Sequence, residues 1–151
     1  MKISSKGEYA LRALIVLGQH QGRVMSIQEI SEKTLVTTNY LEQILLHLKK
    51  LGYLQSKRGA KGGYMLGKEA KDVNIGEVIR MLEGPLSPMS CASVTQYQSC
   101  PLEQGCLLKP LWSLVRDTIA FVLERTTLED LLENRIQSWK EEDILDFKSK
   151  N

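Results

Sequence analysis

Cys91, Cys100 and Cys106 are the only cysteines in the chain, and they fall within 16 consecutive residues. Their spacing is neither the paired Cys-x-x-Cys of a zinc ribbon nor the close spacing of a ferredoxin cluster loop. Three thiolates brought together by one loop could still hold iron, which favours sulfur, with a fourth ligand from elsewhere. An odd number of cysteines argues against a secreted disulfide framework. The cysteines therefore predict metal binding or redox chemistry, and the alternative is three ordinary thiols.

A second set of polar side chains lies on a predicted helix whose apolar residues recur at helical spacing from 41 to 48. Asn39 and Gln43, on the opposite side, offer a donor and an acceptor on one planar group and can pair with adenine, whereas Thr and Tyr hydroxyls suit phosphate. Leu46 also falls on this side, where it meets either water or a thymine methyl group. The candidate DNA-reading residues of this helix are Thr38, Asn39, Tyr40, Gln43 and Lys50.

Basic residues continue beyond this helix into a glycine-bearing hairpin. Residues 43–68 contain six basic and no acidic side chains, whereas residues 124–146 contain eight acidic and three basic ones. Arg58 and Lys61 lie at the hairpin tip, where glycines let the backbone approach another surface and where Arg suits a narrow, electronegative groove. A hairpin that docks protein would not need its acids excluded. Helix and tip together therefore predict two adjacent contacts on one DNA duplex.

The elements that must position these residues follow from hydrophobic periodicity, caps and glycine stops. Two strand-like runs, 53–58 and 63–66, flank the glycine-bearing loop and predict a two-stranded hairpin. Residues 85–105 have no periodicity, and a loop of this length is usually functional or disordered. Helices are predicted over about 6–20, from a Ser26–Glu29 capping box to Leu35, from Thr37 or Thr38 to Gly52, over about 75–83, over about 107–123, and from Thr127 to Leu132.

The predicted long helix carries more apolar surface than one small core can cover. Leu108, Leu111, Val115 and Val122 recur every three or four residues, and further apolar residues broaden the stripe. The width favours a partner helix from a second copy of the chain, with burial against the first helix as the alternative for part of it. The predicted fold is thus mainly α, a winged helix-turn-helix with a two-stranded wing and a long C-terminal dimerisation helix.

Composition and the remaining motifs exclude other classes of function. The 151 residues are 42% hydrophobic and 25% charged with a net charge of +2, which suits one ordinary domain. No apolar run reaches the roughly 18 residues of a membrane-spanning helix, and charges interrupt the start before a secretory signal could form. We therefore expect a cytoplasmic protein without a membrane partner. No nucleophilic triad, phosphate loop or paired-carboxylate site is present, so we expect neither an enzyme nor a small-molecule substrate.

Six segments of the chain carry a family resemblance. They are 1–10 (MKISSKGEYA), 40–45 (YLEQIL), 58–64 (RGAKGGY), 75–79 (IGEVI), 82–85 (LEGP) and 127–132 (TLEDLL). These segments resemble the opening, recognition helix, wing, following helix and end of the Rrf2-type winged-helix transcription regulators, over about the first 132 residues. The resemblance implies a homodimer that binds double-stranded DNA at an inverted repeat, with the long helix as the dimer contact.

The same resemblance gives the cysteines a specific role. Cys91, Cys100 and Cys106 stand where the iron–sulfur branch of the family places three cluster ligands, and another branch lacks them. Some members of the iron–sulfur branch have a ligating His three residues after the third cysteine, but this chain has Lys109, whose ammonium group cannot ligate. In others a carboxylate near the N-terminus reaches across from the partner subunit, and Glu8 is similarly placed. The resemblance therefore implies an iron–sulfur cluster of the 2Fe-2S type, with Glu8 as its fourth ligand in trans.

The sequence thus predicts a DNA-binding transcription regulator controlled by an iron–sulfur cluster that senses iron–sulfur status, oxygen or nitric oxide. Its predicted parts are a DNA-binding domain over 1–84, a cysteine-bearing sensor loop over 85–106, a dimerisation helix with a short further helix over 107–134, and a polar tail over 135–151. Two alternatives stay open. One is a cluster-free DNA-binding repressor controlled by its thiols or by a protein partner, and the other is a metal-binding protein-interaction module.

Overall fold

The computed structural model of the chain describes residues 2–138. It confirms a mainly helical fold with one two-stranded antiparallel sheet. The helices are α1 (Ser5–Gln19), α2 (Ile27–Thr34), α3 (Thr38–Lys50), α4 (Ile75–Glu83), α5 (Leu108–Glu124) and α6 (Leu128–Leu132), and the strands are β1 (Leu54–Lys57) and β2 (Gly63–Leu66). Short 3-10 turns cover Ala70–Asp72, Ser90–Ala92 and Arg135–Ser138. The predicted polar tail begins with the last of these turns, and residues 139–151 lie outside the described residues.

The N-terminal caps of α2 and α3 agree only in part with those predicted from the sequence. Ser26 caps α2, because its hydroxyl accepts a hydrogen bond from the N–H of Glu29 at 3.2 Å. The Glu29 carboxylate pairs with Arg23 at 2.7 Å, so only half of the predicted capping box forms. Thr37 occupies the cap position of α3, but its side chain makes no capping hydrogen bond. The packing of its apolar face therefore has to hold α3 in place.

The core lies between these three helices and the base of the sheet. Leu14 of α1, Ile30 of α2 and Leu41, Leu45 and Leu48 of α3 have no exposed surface. Burying one such aliphatic side chain contributes about 1.5–3 kcal/mol of hydrophobic stabilisation. The burial confirms the predicted phase of α3 and fixes which of its sides faces solvent.

The sheet forms the predicted wing. Leu54 lies opposite Leu66 and Lys57 opposite Gly63 in an antiparallel register. A third segment adds to β2, because Met25 and Tyr64 exchange two backbone hydrogen bonds of 2.8 Å each. The wing is therefore tied to the segment that leads into α2.

The second half of the chain packs along α1 and α4. Thr127 and Asp130 form a complete capping box at the start of α6, where the sequence predicts a helix to begin. Gly18 of α1 lets α6 approach closely, since an added Cβ would lie 2.8 Å from Leu132. α5 packs against α4 and the Ser90–Ala92 turn, and only Phe121 of this helix is buried.

The apolar stripe of α5 stays exposed within one chain. Leu107 is 92% exposed, Leu108 is 56% exposed, and Leu111 and Leu114 are each 47% exposed. Farther along the helix, Ile119 and Leu123 pack against the core, so burial within one chain covers only part of the stripe. Among the described residues, no helix has the length and hydrophobicity needed to cross a membrane.

Candidate nucleic-acid interface and metal centre

The solvent side of α3 carries the predicted reading residues. Asn39, Gln43 and Lys50 are exposed, and Leu46, 44% exposed, lies between them on the same side. Thr38 is half-buried at the first turn. Glu42, which precedes the acid-free stretch, is also exposed beside Gln43. The surface can thus offer amide groups, one carboxylate and one ammonium group to base edges and phosphates.

The N-terminal end of α3 rests on α1 through an aromatic pair. The rings of Tyr40 and Tyr9 meet edge to face, with centroids 5.7 Å apart and planes at 85°. The Arg12 guanidinium lies 5.5 Å from the centre of the Tyr9 ring and donates to the backbone oxygen of Thr34 at 3.3 Å. Sequence reasoning missed the role of Tyr9 and Arg12. Only their i, i+3 spacing on α1 could have indicated that they act together.

Glu8, the predicted ligand in trans, forms an ion pair with Arg12 one helical turn away. Its side chain is 52% exposed, so the carboxylate stays accessible to a second chain. Within one chain the structure therefore joins Glu8 to the Arg12–Tyr9–Tyr40 contacts. The cysteines take no part in these contacts.

The wing carries its cations on the outside. Arg58 and Lys61 are exposed at the tip, where the N–H of Gly62 donates to the oxygen of Gly59 at 2.9 Å and closes the turn. Lys49, at the end of α3, donates to the hydroxyl of Ser56 on β1. This bond joins the end of α3 to the wing, so the exposed cations of the two elements lie on neighbouring parts of the surface.

The three cysteines are free, half-buried thiols in the segment between α4 and α5. The N–H of Glu103 donates to the oxygen of Cys100 at 3.0 Å, and the N–H of Cys106 donates to the oxygen of Glu103 at 3.1 Å. Glu103 therefore ends one turn and begins the next, and the two turns connect Cys100 to Cys106. Cys91 precedes them by a longer span, in the Ser90–Ala92 turn.

Glu103 is a centre of polar contacts that the sequence reasoning did not predict. Its carboxylate accepts hydrogen bonds from the Tyr97 hydroxyl at 2.6 Å, from the Cys100 N–H at 3.4 Å and from the Lys109 ammonium. The bond from Lys109, followed by that from Tyr97, lowers the pKa of Glu103 to about 2. The bond to Glu103 in turn raises the pKa of Lys109 above its usual value of 10.5. Lys109 thus stays protonated and paired with Glu103.

The donor set suits an iron–sulfur group in type but is not assembled. Three thiols on one segment supply the soft ligands that such clusters prefer. Residues 2–138 contain no group of three His, Cys, Asp or Glu side chains placed to hold a metal ion.

Comparison with known proteins identifies the family to which the chain is similar. Residues 3–134 match the Rrf2 family, which is described as iron-dependent transcriptional regulators. The HTH-type transcriptional regulator CymR of Bacillus subtilis is 38% identical over 132 residues, which cover 87% of this chain and 89% of that protein.

Two solved structures are similar over nearly their whole length. The structure of CymR, the global cysteine regulator of B. subtilis, has a TM-score of 0.76 at 37% identity and covers 89% of this chain and 98% of that one. The structure of T. potens IscR has a TM-score of 0.70 at 33% identity, with 93% and 92% of the two chains covered. The winged-helix arrangement described above is therefore shared with transcriptional regulators.

Proposed function

Since the chain belongs to the Rrf2 family of transcriptional regulators, we propose that α3 and the wing read an operator and that the three-cysteine segment senses a signal through an iron–sulfur cluster. Its relatives are transcription regulators, and the protein is a DNA-binding transcription regulator rather than an enzyme. Like the family, it binds DNA as a dimer. Membership of this family argues against the alternative function of a metal-binding protein-interaction module.

The observation that carries the reading proposal is the shared surface of α3 and the wing. Asn39 and Gln43 of the exposed side of α3 contact base edges, with adenine as the preferred partner. Thr38 and Tyr40 at the start of the helix contact phosphate, as does Lys50 near its end. The wing supplies Arg58 and Lys61 to the neighbouring groove or backbone.

Selection from a random inverted-repeat library, followed by titration of the selected duplex, tests this proposal. Gln43→Ala should relax base preference at one position by about 1–3 kcal/mol, whereas Lys61→Ala should weaken all sequences alike. Lys71→Ala, at an exposed lysine in the Ala70–Asp72 turn, is the matched control and should change neither. Equal base preference in the Gln43 variant and the wild type would contradict the assignment.

For the sensor, we propose that Cys91, Cys100 and Cys106 hold a 2Fe-2S cluster whose fourth ligand is Glu8 of the partner subunit. Such a cluster supplies a redox-active, oxygen- and nitric-oxide-sensitive group and responds to iron supply. The thiols provide the soft donors, and Glu8 has to exchange its Arg12 partner for iron. Arg12 also contacts Tyr9 and Thr34, and Tyr9 packs against Tyr40 of α3. Loss of the Glu8–Arg12 pair would therefore alter contacts at the N-terminal end of α3.

Anaerobic purification of the full chain tests the cluster directly. We expect a coloured protein with visible absorption and matching iron and sulfide contents, and Cys→Ser at any of the three positions should remove the absorption. Glu8→Gln should change the spectrum or shorten the lifetime of the cluster in air. Glu32→Gln on the exposed side of α2 is the matched control. A Glu8 variant with unchanged spectrum and lifetime would remove Glu8 from the ligand set.

A second candidate keeps the DNA function and drops the cluster. The similarity to CymR, whose solved structure is described as that of a cysteine regulator, favours it. In this case the protein is a repressor controlled by its thiols or by a protein partner. A colourless anaerobic preparation, whose operator affinity changes on thiol oxidation, would support it against the cluster.

The remaining sequence predictions enter the proposal unchanged. We propose that 1–84 form the DNA-binding part, 85–106 the sensor, 107–134 the dimer contact and 135–151 a polar tail. We propose a cytoplasmic location, which fluorescence microscopy of a tagged chain would test.

A further inference from the structure

A cavity of about 410 Å³ opens between the end of α4, the segment that follows it and the second half of α5. Its volume lies within the range of sites that bind small molecules. The apolar part of the lining includes Leu86 and Phe121, which are 3% and 4% exposed. Hydroxyl groups of Ser87, Ser93 and Thr95 also line it. The cavity thus combines an apolar wall with polar groups, as a site for a small amphipathic molecule requires.

The charges of the lining favour an anion. Three guanidinium groups face two carboxylates around the cavity, which leaves one positive charge. Arg80 pairs with Glu124, and Arg116 pairs with Asp117 at 2.7 Å. Among residues 2–138, no carboxylate pairs with Arg125, whose guanidinium lies 4.3 Å from the centre of the Phe121 ring. Arg125 is therefore the cation left for a ligand, next to an apolar surface.

We propose that this cavity binds a small organic carboxylate with an apolar body, with Arg125 as the anchor of its carboxylate group. Arginine suits this task because its planar fork of donors matches a carboxylate. The apolar body lies against Phe121 and Leu86. The site involves none of the three thiols, so it goes beyond the cluster and does not depend on it.

The cavity lies beside two parts of the protein that could respond to a ligand, namely the helix α5 and the segment that contains Cys91. On α5, the lining residues Asp117, Ala120 and Glu124 lie about 150° around the helix from the mean direction of the exposed leucines, whereas Arg125 lies about 40° from it, so the cavity reaches from the far side of the helix to the edge of the leucine stripe. Arg116 also donates to the backbone oxygen of Ala92, the neighbour of Cys91. A bound carboxylate would therefore hold α4, α5 and the first cysteine in one arrangement.

Calorimetry on the full-length dimer tests the proposal with two pairs of probes. The pairs are 4-methylpentanoate with its amide and L-leucine with its amide, which share one apolar body and differ in the carboxylate. We expect both acids to bind and both amides to bind at least about 10-fold more weakly. Arg125→Gln should weaken the acids by a similar factor, Arg125→Lys should weaken them less, and Arg23→Gln, at an exposed arginine paired with Glu29, should have no effect.

Ala120→Leu, which fills part of the cavity from α5, provides a second readout and should weaken all four probes. Amides that bind as tightly as the acids, or acids that bind the Arg125→Gln variant as well as the wild type, would overturn the proposal. So would the absence of binding by either acid below a concentration on the order of 10 mM. The circular dichroism spectrum of each variant excludes loss of folding as the cause of a weaker signal.

Discussion

At the scale of single residues, Lys109 bears on which atoms could complete the proposed metal site. It stands three residues after the third cysteine, and its ammonium group is bound to Glu103. Because that contact raises the pKa of Lys109, deprotonation to a neutral ligand becomes harder. The fourth donor of the proposed cluster would therefore come from another residue, which is why Glu8 enters the proposal. The side chains of Lys109 and Glu103 are 36% and 22% exposed, so the pair itself contributes little to stability.

Replacing Lys109 with histidine tests this reasoning. Imidazole can ligate iron where an ammonium group cannot, so Lys109→His should slow the loss of the visible cluster absorption in air severalfold. Lys71→His in the Ala70–Asp72 turn is the matched control and should decay like the wild type. If Lys109→His decays at the wild-type rate as well, position 109 lies outside the reach of the cluster.

His47 near the end of α3 predicts a pH dependence of stability. Burial, followed by the positive charges of Lys6 and Lys50, lowers the pKa of His47 below its usual value of 6.5. The unfolded chain therefore takes up a proton near pH 6.5, while the folded chain takes it up only at lower pH. The free energy of unfolding should thus fall as the pH drops from 7.5 through 6.5.

Thermal unfolding at pH 7.5 and pH 5.5 measures the effect. The drop in melting temperature between the two values should be smaller in His47→Gln than in the wild type. His20→Gln replaces the other histidine of the chain and serves as the reference. An identical drop in the His47 variant and the wild type would show that the charge of His47 does not matter for folding.

At the scale of elements, the sequence predicted the features that depend on residues close together in the chain, such as helical phase and helix ends. The 3.6-residue period of α3 placed Leu41, Leu45 and Leu48 inward, and these residues are fully buried. The sequence predicted a helix beginning at Thr127, and Thr127 forms both hydrogen bonds of a capping box with Asp130. Predicted bounds differ from the observed ones by a residue or two, as is usual for helix ends.

Contacts between distant residues could not be predicted in this way. The Ser26–Glu29 capping box is half formed, because Arg23 offers the Glu29 carboxylate a charged partner. The Glu103 contacts and the cavity around Arg125 depend on how a segment without periodicity folds back on α5. No local pattern contains that information, since hydrophobic period and caps describe only neighbours along the chain.

The attachment of the wing to the segment before α2 gives a prediction at this scale. A Cβ at Gly63 would lie 2.0 Å from the backbone oxygen of Met25, so Gly63→Ala must open the bridge between Met25 and Tyr64. We expect a loss of about 2–4 kcal/mol in the free energy of unfolding. At Gly59, φ is +112°, and no atom beyond the chain neighbours lies within 4 Å of an added Cβ. Gly59→Ala should therefore lower the free energy of unfolding by only about 1 kcal/mol, through backbone strain. Urea unfolding measures both, and an equal loss would contradict a specific role of the Met25 contact.

At the scale of the whole molecule, two surfaces have to act together. The basic surface of α3 and the wing is the one that we propose to read one half of an inverted repeat, and the exposed apolar stripe of α5 is the surface that we expect to join two copies. Half-sites of one duplex lie about 34 Å apart or at a multiple of that distance. The dimer contact therefore sets the spacing of the two reading surfaces, and any ligand or cluster that shifts α5 changes affinity for the repeat.

A variant that breaks the dimer should separate the contribution of the α5 contact to DNA affinity from that of the basic surface of α3 and the wing. Leu111→Glu places a charge in the apolar stripe, where Leu111 is 47% exposed, and should convert the dimer to a monomer in analytical ultracentrifugation. Met81→Glu adds the same charge at an apolar residue of α4 that is 54% exposed, and should leave the dimer intact.

The salt dependence of DNA binding then distinguishes a lost partner from a damaged reading surface. A monomer makes about half as many phosphate contacts, so the slope of log affinity against log salt concentration should fall to about half its wild-type value. Affinity for the full repeat should fall at least about 100-fold, because the second half-site no longer binds within the same complex. A Leu111 variant that is monomeric but keeps the wild-type slope would mean that one chain makes all the phosphate contacts. In that case the pairing of two reading surfaces across α5 would be wrong.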